Sequence, residues 1–163
     1  MSLDVAVLRA ARTTGHTPAR ERAVARFSRL GEHGAVWIAI GLAGAAVDAP
    51  RRGRWLSASG TVAGTYTANT LVKLAVRRER PRLPGLPPLT SVPSPLSFPS
   101  AHAATSFAGA LAYSRLGLSP RLLYGLATAL ALSRLYLGVH YPSDVIAGAA
   151  LGTAAAAPGR DRS

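Results

Sequence analysis

Five stretches of the chain are apolar around most of their circumference, and the polar residues collect between them. Gly34 to Ala49 reads GAVWIAIGLAGAAVDA, apolar save for Asp48, and is closed by Pro50 and the cluster Arg51, Arg52 and Arg54. Residues 55 to 76, WLSASGTVAGTYTANTLVKLAV, have about the length a membrane span needs and are rich in Gly, Ser and Thr, which suit tight helix packing in lipid. Ala101 to Leu118, Arg121 to Leu137 and Asp144 to Ala157 complete the set. A soluble bundle helix carries a polar stripe at helical spacing, and these segments lack one. The pattern predicts an all-α fold: an integral membrane helical bundle of about five transmembrane helices.

Two other stretches behave differently. In residues 1 to 33, Arg9, Arg12, Arg20, Arg22, Arg26 and Arg29 alternate with Val5, Leu8, Val24, Phe27 and Leu30, which predicts two amphipathic helices in the membrane interface, broken near TTGHTP. The first apolar run is too short, and lacks the preceding basic region, for a cleaved signal peptide. Residues 77 to 100 hold seven of the twelve prolines, a density that prevents a regular helix and predicts a stiff, extended loop. A chain of 163 residues suits one domain. Its divisions are an N-terminal segment over 1–33 and a bundle over 34–158 containing the loop 77–100.

Composition sharpens this picture. The chain is 48% hydrophobic yet carries a net charge of +12, so charge and apolar surface must be segregated. The absence of cysteine excludes a disulfide framework, a thiol nucleophile and thiolate metal sites. Aromatic content is only 6%, and no nucleic-acid recognition signature is present, so the sequence predicts no nucleic-acid partner. The basic charge points instead to the anionic surface of a bilayer or to a phosphorylated lipid headgroup.

Alternating spans bring the ionisable residues together on one face. Lys73 falls at the end of the second span, Arg80 in the proline loop, Ser100 and His102 at the start of the third, Arg134 at the end of the fourth, and His140 and Asp144 at the start of the fifth. Such groups near membrane depth are costly and usually face a polar cavity. Two arginines and a lysine can neutralise a phosphate, the guanidinium groups offering forked donors. Ser100 can add a hydroxyl, and the helix beginning near it can add backbone N–H groups. His140 and Asp144 are four apart; a carboxylate on one ring nitrogen would fix the tautomer and raise the nucleophilicity of the other. His102 would then be free to pass a proton to a leaving oxygen. Together they suggest phosphoryl transfer through a phosphohistidine. Arg77, Arg78 and Arg82 are assigned to a lipid-facing or solvated surface.

The motifs KLAVRRERP (Lys73 to Pro81), PSAH (Pro99 to His102) and SRLYLGVH followed by YPSD (Ser133 to Asp144) resemble the three ordered motifs of the type 2 phosphatidic acid phosphatase superfamily, membrane lipid phosphatases related to vanadium haloperoxidases. The resemblance implies His140 as nucleophile, Asp144 as its orienting partner and His102 as general acid. Lys73, Arg80, Ser100 and Arg134 become phosphate ligands, with the backbone N–H of Ala101, where the family usually has glycine. It implies neither metal nor other cofactor. FSRLGEHGAVWIAI and the short length resemble compact actinobacterial members, some of which dephosphorylate decaprenylphosphoryl-5-phosphoribose in cell-wall arabinan synthesis. Undecaprenyl diphosphate, phosphatidylglycerophosphate and phosphatidic acid are the competing substrates the family implies. From a different class, the same cradle could serve a non-catalytic protein that binds anionic lipid. The expected location is the plasma membrane, crossed several times. Arg51, Arg52, Arg54, Arg115, Arg121, Arg160 and Arg162 favour the opposite face as cytoplasmic, which puts the site outside.

Overall fold

The computed structural model describes residues 2–157; Arg160 and Arg162, used above for orientation, and the bundle boundary at Pro158 lie outside the described residues. The described chain is all-helical apart from loops and two isolated bridges, Glu79 with Leu96 and Leu83 with Leu86. The helices are α1 (Leu3–Thr13), α2 (Pro18–Arg29), α3 (Ala35–Val47), α4 (Arg52–Val76), α5 (Ala101–Ser114), α6 (Pro120–Tyr136) and α7 (Pro142–Ala156). All five apolar stretches and both amphipathic segments are helical, with ends within a few residues of those predicted. The punctuation is local chemistry. Pro18, Pro120 and Pro142 sit in first turns, where a missing N–H costs nothing, and Ser2, Thr17 and Ser100 cap α1, α2 and α5 with side-chain oxygens.

Helix α5 is the axis of the bundle, packed on α4, α6 and α7. It can be because its sequence, AHAATSFAGALAYS, presents small residues on nearly every side. Gly148 and Gly152 of α7 face its backbone so closely that a Cβ on either would collide with the carbonyl of Ser100 or Ala104. The core at the far end is aromatic. Trp37 and Tyr113 are fully buried, with Trp55 beside Tyr113. Their polar atoms are satisfied: Trp37 Nε1 donates to Ser106 Oγ (3.0 Å) and the Tyr113 hydroxyl to the carbonyl of Trp37 (2.7 Å).

The amphipathic helices pack onto the site end of the bundle. Leu8 of α1 is fully buried, and Arg12 reaches over to donate to the carbonyls of Pro87 (2.7 Å) and Tyr136 (3.4 Å). The proline-rich segment is an ordered excursion. Its two limbs are joined by Ser97 N to the carbonyl of Arg78 (2.7 Å) and Arg80 N to that of Pro95 (3.0 Å), and its tip is pinned by Leu89 N to the carbonyl of Leu137 (2.9 Å).

Candidate active site

A cavity of about 640 Å³ opens at this end, and Lys73, Arg80, Ala101, His102, Arg134 and His140 all line it. They arrive from five segments: the last turn of α4, the proline loop, the first turn of α5 (which supplies both Ala101 and His102), the last turn of α6 and the α6–α7 loop. The convergence expected from alternating spans is therefore observed. Asp144 and Ser100 stand one step back. Both are fully buried; the Ser100 hydroxyl accepts from Ala103 N (3.5 Å), and its N–H donates to the carbonyl of Asp144 (2.9 Å). Ala101 and His102, in the first turn of α5, have N–H groups with no acceptor inside the helix, and that end of the helix favours an anion.

The hydrogen bonds at His140 define its tautomer. Arg80 Nη1 lies 3.1 Å from Nε2, and a guanidinium can only donate, so Nε2 offers its lone pair. The proton is then on Nδ1, which lies 3.4 Å from Asp144 Oδ2, close enough for electrostatic support but without the alignment of a full hydrogen bond. Burial, only partly offset by Asp144 and reinforced by Arg80 and Arg134, pushes the His140 pKa down to about 3. The imidazole is neutral at physiological pH, with Nε2 on the cationic side of the cavity.

Asp144 is held from three directions. Tyr141 N donates to Oδ2 (2.8 Å), His140 approaches the same oxygen, and Arg78 Nη1 donates to Oδ1 (2.9 Å). Arg78 was assigned by sequence to a lipid-facing or solvated surface, and this is corrected. Its guanidinium also meets Ser143 Oγ (2.6 Å) and Asp4 Oδ2 (2.9 Å), and it stacks 4.0 Å over the Tyr141 ring. Burial works against the Arg78 charge, but the bond it donates to Asp4 and the charge of Asp144 outweigh it and raise its pKa. Asp4 in turn accepts from Ser143 N (3.0 Å) and Ser143 Oγ (2.5 Å). Arg82 is exposed and pairs with Glu79 (3.2 Å), as a solvated residue should.

The cations are committed in part and keep donors in reserve. Lys73 Nζ donates to the carbonyls of Leu96 and Pro99, both at 3.1 Å, leaving a third hydrogen. Arg80 Nε is bonded to the carbonyl of Ser94 (2.8 Å) and its Nη1 also to that of Val139 (2.7 Å). Arg134 Nη1 donates to Ser28 Oγ (2.7 Å), while its buried Nε has no partner. A buried guanidinium donor left unpaired beside a cavity is what a site for an anionic oxygen requires.

Ser28 is a site residue that the sequence reading missed. It lies in α2, almost fully buried, and its hydroxyl receives Arg134 Nη1 and Ser133 Oγ (3.0 Å). Its carbonyl accepts from His102 Nε2 (2.9 Å). A carbonyl cannot donate, so Nε2 carries hydrogen and Nδ1 is left as the nitrogen able to exchange a proton. No local signal marks Ser28; only its place on the inner face of an amphipathic helix, opposite basic residues, could have suggested it.

A neutral histidine backed by a carboxylate, a second histidine and a cationic cradle at one end of a helical bundle define a phosphoryl-transfer site. The chain belongs to the PAP2 superfamily, whose family model matches residues 54–159. It is 43% identical over 124 residues to the decaprenylphosphoryl-5-phosphoribose phosphatase of Mycolicibacterium smegmatis, covering 75% of this chain and 67% of the relative. It is 44% identical over 126 residues to the protein of that name from Mycobacterium tuberculosis, covering 77% and 71%. Its fold matches the crystal structure of Aquifex aeolicus LpxE at a TM-score of 0.78, with 23% identity over 96% of this chain and 93% of the other. It also matches a transmembrane PAP2-type phosphatidylglycerolphosphate phosphatase from Bacillus subtilis at 0.73, with 25% identity over 94% and 80%. The protein is a lipid phosphatase, as the three motifs implied.

Proposed function

We propose that this phosphatase removes the terminal phosphate from a polyprenyl-linked phosphomonoester, of the decaprenylphosphoryl-5-phosphoribose type, through a phosphohistidine at His140. The observation that carries the mechanism is the pairing at His140: Arg80 donates to Nε2 while Asp144 lies beside Nδ1, so the lone pair on the cavity side is the reactive one. The substrate class is supported by the names of the two mycobacterial relatives at 43% and 44% identity.

Phosphate oxygens would be received by Lys73, Arg80 and Arg134, with the first-turn N–H groups at Ala101 and His102; Ser100 supports them by capping α5. The incoming phosphate takes Arg80 from His140 Nε2 and frees the lone pair. Nδ1 of His102 takes up a proton as the monoanionic phosphomonoester binds, while Nε2–H stays on the Ser28 carbonyl. Nε2 of His140 then attacks phosphorus, the P–O bond to the sugar breaks, and the Nδ1 proton of His102 passes to the departing oxygen. Water then attacks the phosphohistidine; His102 takes its proton, the N–P bond breaks, and inorganic phosphate leaves. Asp144 holds the Nδ1–H tautomer and stabilises the positive charge on the phosphorylated ring. The cradle neutralises charge on the equatorial oxygens in both steps.

The whole chain acts as a single domain, with α3 to α7 crossing the bilayer and α1 and α2 resting in the interface at the site end. Among the described residues no single helix is long and apolar enough to cross a membrane, although α2 and the segment Glu32–Val47, bent by 42°, pass that test as a pair. Helix α4 has the length, at 25 residues, but its Ser, Thr and Gly content makes it less apolar; the others are shorter. What supports the membrane reading is where the large apolar side chains point. Leu42, Leu71, Leu74 and Leu132 are exposed, as are Leu122 (76%) and Ile146 (70%), one or more from each of α3, α4, α6 and α7. An apolar belt of that kind is costly in water and favourable in lipid. The site faces outward across the plasma membrane, with Arg51, Arg52, Arg54, Arg115 and Arg121 at the cytoplasmic rim.

Phosphate release from a panel of phosphorylated polyprenols and glycerolipids, in detergent with chelator, tests the activity. Release from a polyprenyl phosphosugar that disappears in His140→Ala is expected. Full activity in that variant would remove His140 as nucleophile. A reporter fused after Ser163 that proved extracytoplasmic would reverse the orientation.

A further inference from the structure

The cavity is larger than a phosphate requires. At about 640 Å³ it is in the range that encloses a drug-sized ligand, and beyond the phosphate cradle its lining changes character. Glu32, His33, Tyr66, Asn69 and Thr70 line one side, from the turn before α3 and the inner face of α4, and Leu74 with residues 91–94 of the proline loop line another.

Three observations set this part of the wall apart. Asn69, one helical turn before Lys73, is fully buried, and neither its Oδ1 nor its Nδ2 has a partner among the described residues. A buried amide with both a donor and an acceptor unpaired by protein groups is rare and calls for an explanation. His33 is held at φ 53°, ψ 17°, a left-handed conformation unfavourable for a residue with a side chain, and Gly34 follows at φ 75°. This turn sets the imidazole beside Tyr66, with ring centroids 5.3 Å apart, at the cavity wall. Finally, Glu32 brings a carboxylate into a cationic cavity, and its charge is felt by Arg134. A carboxylate repels phosphate but accepts strongly from hydroxyl groups.

We propose that Glu32, His33 and Asn69 form a subsite for the alcohol portion of the substrate, and that this portion is a polyhydroxylated ring of furanose size. The inference rests on the phosphatase reading above and adds the group from which the phosphate is removed. Vicinal hydroxyls can donate to the Glu32 carboxylate and Asn69 Oδ1 and accept from Asn69 Nδ2, with His33 and Tyr66 flanking the ring. A glycerolipid phosphate or a plain prenyl phosphate leaves Asn69 unpaired. A diphosphate brings a second phosphate toward Glu32.

The test compares two substrates with the same short prenyl tail: a prenyl-phosphoryl pentose 5-phosphate and a prenyl monophosphate without hydroxyls. The full chain is assayed in detergent as wild type, Glu32→Gln and the near-isosteric Asn69→Leu. Wild type should favour the pentose substrate, and each variant should lower the ratio of the two kcat/KM values by at least about tenfold, since a polar site rejects a ligand that leaves its groups unpaired. A proportionate loss on both substrates would show that these residues only support the fold, and an unchanged ratio would show no contact; either overturns the subsite. Wild-type protein inactive on both substrates would instead overturn the functional reading beneath it.

Discussion

Arg78 Nη1 donates to Asp144 Oδ1 at 2.9 Å, and through the other nitrogen of the same guanidinium the site reaches Asp4 in the first turn of α1. Asp4, Arg78, Asp144 and His140 thus form one chain of charge-assisted contacts, running from an amphipathic helix to the imidazole proposed as nucleophile. Arg78 occupies the lone pairs of Asp144 Oδ1, which keeps the carboxylate in one orientation with Oδ2 facing the ring.

Arg78→Ala should lower kcat by roughly 10- to 100-fold, the equivalent of losing one charged hydrogen bond worth about 1.5–3 kcal/mol. Arg78→Lys should recover little, because a point charge cannot span Asp4, Ser143 and Asp144 together. Asp4→Asn should give a smaller loss in kcat with KM largely retained. Steady-state kinetics on the three variants checks this, and an unaltered kcat in Arg78→Ala would show that Asp144 orients His140 unaided.

The pH dependence follows from two groups outside the spans. His140, facing Arg80, Arg134 and Asp144, is held down at about 3 by burial, so it remains a free base through the mildly acidic range. Activity should persist below pH 6.5, with no acid limb from this residue until far lower. The same shift bears on stability. Between about pH 6.5 and 3 the unfolded chain binds a proton at His140 that the folded chain refuses, so stability falls as pH drops through that window. Arg80, lowered by burial to about 10, should lose its charge in alkali and weaken kcat/KM there. A pH series of kcat/KM and of thermal unfolding midpoints separates the two.

Ser28 touches both His102 and Arg134 from a helix outside the core bundle. Its carbonyl is backbone, so Ser28→Ala keeps the His102 contact, removes the hydroxyl that accepts from Arg134 and Ser133, and should raise KM several-fold, the cost of about 1 kcal/mol. Gly31→Ala attacks the other partner. A Cβ there would stand 2.7 Å from His102 Cδ2, so the His102 ring must move while the backbone, at φ −88°, accepts alanine. Its kcat should fall with little change in KM, and the split between the two variants is the readout.

Gly152→Ala should destabilise the bundle by about 1–3 kcal/mol, the usual cost of overpacking, because the new methyl meets the α5 backbone rather than a movable side chain. Gly148→Ala presses on the carbonyl of Ser100 and should lower activity as well as the unfolding temperature. Gly60→Ala, with open space around it, is the control and should be neutral or slightly stabilising. Thermal unfolding in detergent measures all three.

By itself the sequence determined the helices, their breaks and the cationic and histidine residues that line the cavity. Those features are local: apolar runs, prolines in first turns, capping hydroxyls and motif spacing are each written within a few residues of one another. Alternation of helix direction then placed Lys73, Arg80, His102, Arg134 and His140 around one cavity. The tertiary structure decided which of several similar polar residues work with them. Arg77, Arg78 and Arg82 are alike in a local window, yet only Arg78 meets Asp4, 74 residues away, and Asp144, 66 away. Ser28 reaches Arg134 across 106 residues. Asn69 differs from neighbouring polar residues of α4 only in pointing, unpaired, at the cavity. Partners that distant are chosen by how α1 and α2 dock on the bundle, a product of packing over the whole chain that no local pattern encodes.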